Sequence, residues 1–109
     1  MEAYMPRQTL GQVSDNSCGS HSVYFDENGC LTVEWYDHGP NVPYESANML
    51  VFDPEQQRQL ADALEILVAD RSNTHMLAAL RERFQDYFQV QDFCKEKGIG
   101  FAKKVDLWP

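Results

Sequence analysis

Apolar and polar side chains alternate along two short stretches of the chain, which are separated by Asn28-Gly29. An Asn-Gly pair between alternating runs is a strong signal for a β-hairpin. A two-residue turn would pair Phe25 with Thr32, whereas a three-residue loop with Gly29 in a left-handed bulge would pair Phe25 with Leu31. Only the second register gathers the apolar side chains on one face, so we expect the bulged hairpin.

The other face of this hairpin is polar and rich in tyrosine. It carries Ser22, Tyr24, Asp26, Cys30, Thr32, Glu34 and Tyr36. A loop with two prolines follows, and residues 46–52 then predict a third strand. This strand is apolar on both faces, which is typical of an interior position in a sheet.

The rest of the chain predicts helices over residues 54–69, 74–87 and 91–97, and a final strand from Ile99 to Trp108. The first helix has an apolar stripe that is expected to pack against the sheet, formed by Leu60, Ala61, Leu64, Leu67 and Val68. Asp53 can cap the first helix and Pro54 fits its first position, while Gly98 permits a left-handed exit from the third. The pattern predicts an α+β fold of order β-β-β-α-α-α-β, with an antiparallel sheet packed against two to three helices. Residues 1–19 are predicted to be an irregular lead-in, and residues 20–109 a single domain, because 109 residues suit one core.

Charge is distributed unevenly along the chain, whose net charge is −8. Residues 1–70 carry twelve acidic and two basic side chains, a net charge of −10, whereas residues 71–109 carry five acidic and seven basic ones, a net charge of +2. Such a surface repels nucleic acid and anionic lipid and attracts basic partners. We therefore expect no direct binding to nucleic acid or to a membrane.

Three cysteines, Cys18, Cys30 and Cys94, make an odd number, which argues against a secreted disulfide framework. No apolar run approaches the roughly 18 residues needed to span a bilayer. We expect a cytoplasmic protein with reduced thiols. The hairpin register argues against Cys18, His21, Cys30 and His38 all meeting at one metal ion, although a partial metal site of Cys18, His38 and a carboxylate stays open.

Known catalytic and phosphate-binding motifs are missing from the sequence, and no cofactor is predicted. Cys94 lies on a short helix beside Phe93, where a small apolar core role is expected. An enzymatic or ligand-binding domain remains an alternative, with a pocket formed by His38, Tyr44 and Glu45.

The hairpin face and the adjoining loop form the candidate partner-binding surface. Its residues are Tyr24, Asp26, Glu34, Tyr36, Asp37, Tyr44 and Glu45. Tyrosine beside carboxylate suits arginine, because the ring stacks on the guanidinium and the carboxylate accepts its hydrogen bonds. The alternative is that a helix covers this face and makes the tyrosines part of the core.

These features favour a non-enzymatic, acidic protein-binding domain. We expect it to act as an inhibitor that occludes a basic surface, with a nucleic-acid-handling protein as the natural partner. By size and charge alone, the chain is similar to small acidic proteins of phages and mobile elements, including DNA mimics and anti-CRISPR inhibitors. A structural or assembly subunit, in which the hairpin face forms a homodimer, is a further alternative.

Overall fold

The structure of the chain, a computed structural model, describes residues 5–10, 19–37 and 45–108. Within these residues the strands are β1 (Met5–Thr9), β2 (Gly19–Phe25), β3 (Leu31–Asp37), β4 (Glu45–Phe52) and β5 (Ala102–Trp108). The helices are α1 (Pro54–Ala63), α2 (Asn73–Arg83) and α3 (Tyr87–Lys97), with a short 3-10 helix at Val68–Asp70. All neighbouring strands are antiparallel, in the spatial order β1-β2-β3-β4-β5.

The hairpin of β2 and β3 has the predicted bulged register. Phe25 lies opposite Leu31 and Val23 lies opposite Val33. Gly29 has a φ of 78°, and its N–H donates to the Asp26 carbonyl at 2.9 Å. The positive φ favours glycine because a Cβ would be strained there. The sequence prediction is confirmed in both pairing and loop geometry.

All three helices pack on one face of the sheet, with α2 against β2, α3 against β3 and α1 against β4. Side chains from both layers form one buried core that includes Val23, Phe25, Val33, Leu50, Phe52, Leu60, Leu77, Leu80, Tyr87 and Val90. The predicted fold class, α+β with an antiparallel sheet against helices, is confirmed. The third predicted strand, β4, lies between β3 and β5, which explains its apolar side chains on both faces.

A strand lies inside the segment predicted to be irregular. Met5–Thr9 pairs with β2 at the edge of the sheet, with a register shift between Met5 and Gln8. An edge strand is held by main-chain hydrogen bonds on one side and needs no regular apolar alternation, so the sequence pattern does not reveal it. Leu10, which follows the strand, is buried in the core.

The first helix ends at Ala63, not near residue 69 as the apolar stripe predicts. Glu65 adopts a φ of 61°, and the N–H groups of Glu65 and Ile66 donate to the carbonyls of Asp62 and Ala61. These are the two hydrogen bonds of a Schellman motif, which stops the helix. Leu67 and Val68, predicted to lie on the buried stripe, are consequently exposed.

The second and third helices also divide differently from the prediction. The apolar spacing continues from Leu80 through Phe84 to Tyr87, and all three side chains are buried, although the chain leaves the helix after Arg83. Asp86 caps α3 by accepting from the Gln89 N–H at 2.8 Å. The apolar spacing therefore predicts correctly which side chains are buried, but it does not reveal that the helix is interrupted between Arg83 and Tyr87. Gly98 ends α3 with a φ of 72°, as predicted.

Candidate functional site

The face of the sheet opposite the helices carries the tyrosines, and we call it the open face. Because residues paired across antiparallel strands share a face, it includes Tyr24, Thr32, Glu34, Tyr36, Ala47, Met49 and Lys104. Each described helix packs on the other side. The alternative in which a helix covers the tyrosines is therefore wrong for the described residues.

Glu34 occupies the centre of the open face and is only 5% exposed. Its Oε1 accepts a hydrogen bond of 2.8 Å from the Tyr24 hydroxyl, and its Oε2 lies 2.5 Å from Arg7 Nη1. The Arg7 guanidinium carbon also lies 4.6 Å from the centre of the Tyr24 ring. A buried carboxylate needs such partners, because an unpaired buried charge is strongly destabilising.

Both tyrosines of the open face donate to carboxylates. Burial, followed by the hydrogen bond to Glu34, raises the pKa of Tyr24 well above the ordinary tyrosine value. The hydrogen bond from Tyr36 to Glu45 is the main cause of the raised pKa of Tyr36. Both phenols therefore stay protonated at neutral pH, which suits hydrogen bonding and ring stacking better than proton transfer.

A cleft of about 480 Å³ opens on this face. Its lining residues are Arg7, Tyr24, Glu34, Tyr36, Ala47, Met49 and Asp106. They combine two phenol rings, two carboxylates, one guanidinium and a methionine side chain. A cavity of this size can receive one or two side chains of a partner.

Four of the seven residues predicted for partner binding lie together on the open face, namely Tyr24, Glu34, Tyr36 and Glu45. Asp26 belongs instead to the hairpin loop, where its Oδ1 accepts from the N–H groups of Asn28 and Cys30, both at 2.9 Å. Asp37 follows Tyr36 in β3 and points to the opposite side of the sheet. Tyr44 lies outside the described residues.

Arg7, Met49 and Asp106 also line this cleft, although the sequence pattern does not predict them there. Arg7 has one weak signal, because it is one of only two basic residues in the strongly acidic first seventy. Its contact with Glu34 joins positions 27 residues apart, and only the pairing of β1 with β2 brings them together. Asp106 reaches the cleft through β5, which returns to β4 after all three helices.

Histidine, cysteine and acidic side chains are the candidate metal ligands in the described part of the chain. No group of three or more histidine, cysteine or acidic side chains there could hold a metal ion. The proposed partial metal site falls on Cys18 and His38, and both are outside the described residues, as are two members of the His38, Tyr44 and Glu45 alternative. Burial raises the pKa of Cys94 to about 12, which makes this thiol a poor nucleophile.

No helix in the described ranges has the length and apolar content required to cross a bilayer.

Comparison with known proteins gives no relative for this chain. No protein-family model matches the sequence, and no curated protein and no solved structure is significantly similar to it.

Proposed function

We propose that this protein is a non-enzymatic binding domain that docks on a basic protein surface through its open face. The observation that supports the proposal is the cleft beside Glu34, where the guanidinium of the chain's own Arg7 lies between an aromatic ring and a carboxylate. Arg7 lies against the ring of Tyr24 while its Nη1 contacts the Glu34 carboxylate. This combination of ring and carboxylate is favourable for arginine recognition.

A second phenol and carboxylate lie next to this arrangement. Tyr36 and Glu45 are hydrogen-bonded to each other, and Tyr36 also lines the cleft. The carboxylate of Asp106, which is exposed, lines the cleft from β5. An arginine side chain from a partner could therefore enter beside Tyr36 and find acidic groups on two strands, while Met49 would contact its aliphatic stem.

The net charge of −8 adds a long-range electrostatic attraction toward basic partners. Acidic side chains at the turn of the hairpin (Asp26, Glu27) and at the start of α1 (Asp53, Glu55) add to the negative field outside the cleft. Such a field accelerates association with basic surfaces and weakens as salt rises. A nucleic-acid-handling protein has a suitable surface, because its own groove is basic, and the finer proposal is an inhibitor that occludes that groove as a DNA mimic would.

The test measures binding of an arginine-rich peptide by calorimetry, with a lysine-rich peptide of equal length as comparison. We expect the arginine peptide to bind more tightly, because guanidinium stacks on phenol rings and bonds carboxylates in a bidentate manner. Glu45→Gln should weaken binding by about two- to fivefold, as for a partly exposed charge pair. Tyr36→Ala should weaken it further.

The matched control is Glu65→Gln, which makes the same change of charge in the exposed loop after α1. It should leave the affinity nearly unchanged at moderate salt. If Glu65→Gln and Glu45→Gln weaken binding equally, only the net charge matters and the open face is not the docking site. Binding that does not weaken at high salt would refute the electrostatic mechanism.

A further inference from the structure

Strand β5 lies at one edge of the five-stranded sheet formed by the described residues. Within the described residues it pairs with β4 alone, in a continuous register from Val51 opposite Ala102 to Glu45 opposite Trp108. Every residue from Ala102 to Leu107 is exposed, including Val105 at 49% and Leu107 at 62%. A long, straight edge with apolar side chains is a template for pairing with another strand.

The opposite edge of the sheet is protected. Strand β1 is short, and its pairing with β2 shifts register between Met5 and Gln8. Arg81 of α2 also donates to the Thr9 carbonyl and to Gln8 Oε1, both at 2.9 Å. Irregularity and a covering side chain are two devices that keep sheet edges from associating. In the part of the chain that is described, β5 shows neither of them and is protected only by charged side chains such as Lys104 and Asp106, which a register that pairs opposite charges can accommodate.

The sequence of β5 is complementary to itself in one register. Two copies of β5 can form an antiparallel pair around a two-fold axis perpendicular to the sheet. Residues directly opposite each other must lie on the same side of the sheet, so one residue of the strand, the centre of the register, has to lie opposite its own counterpart. Centring the pair on Lys104 would oppose two lysines, and centring it on Asp106 would oppose two carboxylates. Centring it on Val105 places each Lys104 opposite the partner copy's Asp106.

We propose that two copies of this chain associate through β5 in the register centred on Val105, which joins the two sheets into one. This register pairs all seven residues of the strand, and the two symmetric Lys104–Asp106 pairs lie on the open face. Val105 meets its counterpart on the other face, where Leu107 lies opposite the aliphatic stem of the second Lys103. The association does not rest on the proposed docking function, because it is driven by the strand edge.

The first test is a charge exchange measured by sedimentation over a range of protein concentrations. Lys104→Glu and Asp106→Lys each place like charges opposite one another in this register. Each should raise the dissociation constant of the dimer by about tenfold or more, because attraction becomes repulsion at two symmetric positions. The double variant restores opposite charges, and it should return the dissociation constant to within about threefold of the original.

Both positions are exposed, and thermal unfolding of each variant verifies that the fold is retained. A wild-type chain that remains monomeric at the highest concentration would overturn the proposal. A dimer that neither single substitution weakens, or a double variant that does not recover, would overturn the register.

The second test uses disulfide trapping, which does not depend on charge. Val105→Cys places two thiols across the two-fold axis at a distance that a disulfide can bridge, so an oxidised dimer should form rapidly. Lys104→Cys is the matched control, because its two thiols would lie on Cα atoms about 8 Å apart, too far for a disulfide. Equal trapping at both positions, or none at Val105, would contradict the proposed register.

Discussion

Tyr24 reaches diagonally across the hairpin to Glu34, although the residue directly opposite it is Thr32. Diagonal neighbours on one face of a sheet are within reach of long aromatic side chains. The hydrogen bond, with Arg7 on the second oxygen of Glu34, fixes the carboxylate at the centre of the open face. The pKa of Tyr24 is raised mainly by burial and also by this contact.

Glu34 should influence the titration of the Tyr24 hydroxyl. Glu34→Gln removes the negative charge that favours the protonated phenol, so the pKa of Tyr24 should fall toward 10.0, the value from which it is raised. The phenolate absorbance measured against pH, with Tyr24→Phe subtracted to isolate this residue, reports the shift. If the Tyr24 titration is the same in Glu34→Gln and the parent chain, the two side chains are not coupled.

His21 should make the folded state sensitive to mild acid. Its Nδ1 accepts the Tyr87 N–H at 3.1 Å, and burial lowers the pKa of His21 below 6.5 despite the opposing charge of Asp86. As the pH falls, His21 is therefore protonated in the unfolded chain before it is protonated in the folded protein. The stability that neutral His21 contributes is present above pH 6.5 and is lost as the pH falls below 6.5 through the pKa of the folded state.

Denaturant unfolding at pH 7 and pH 5 tests this sign. His21→Asn keeps an acceptor near Tyr87 but cannot titrate, so the stability difference between the two pH values should shrink. His75→Asn is the control, because His75 is exposed at the start of α2. A larger effect of His75→Asn than of His21→Asn would show that the assignment is wrong.

The two aspartate caps should each contribute measurable stability. Asp53 accepts from the Gln56 N–H at 2.8 Å at the start of α1, and Asp86 accepts from the Gln89 N–H at the start of α3. Replacing either with alanine should lower the free energy of unfolding by about 1 kcal/mol. Asp92→Ala, at an exposed position within α3, should change it by less than about 0.5 kcal/mol. Equal decreases in the free energy of unfolding at all three positions would show that capping is not the cause.

The hydroxyl of Tyr87 is buried and has no hydrogen-bond partner among the described residues. Burying a hydroxyl without a partner costs about 1–3 kcal/mol, whereas the ring itself packs in the core. Tyr87→Phe should therefore leave the free energy of unfolding unchanged or increase it, and Tyr87→Leu should decrease it. Chemical denaturation measures both, and a clear loss of stability in Tyr87→Phe would reveal a partner for the hydroxyl.

The hairpin could be predicted in detail because local signals agree there. Gly29 permits the left-handed bulge, and the alternation around it allows only one register with a single apolar face. The end of α1 was not predictable from apolar spacing, since Leu67 and Val68 extend the stripe beyond the point where Glu65 turns left-handed. Local patterns therefore predict the type of each element well, but the residue at which a helix ends depends on its packing against the core.

The candidate site was predictable only in part, for a related reason. Tyr24, Glu34 and Tyr36 share a face of one hairpin, so their alternation is enough to group them. Arg7 and Asp106 come from the two edge strands, whose positions depend on long-range pairing. The sequence could therefore indicate a tyrosine and carboxylate surface, but it could not predict that Arg7 would already contact its central carboxylate.

Docking of the open face on basic surfaces can be tested directly by NMR, with amide chemical-shift mapping of the isotope-labelled protein as the arginine-rich peptide is added. If the open face is the docking site, the largest shift changes should lie in β3 and β4 around Glu34, Tyr36 and Ala47, and α1 and the loop after it should change little. Shift changes concentrated on α1, or spread evenly over all acidic residues, would show that the open face is not the docking site.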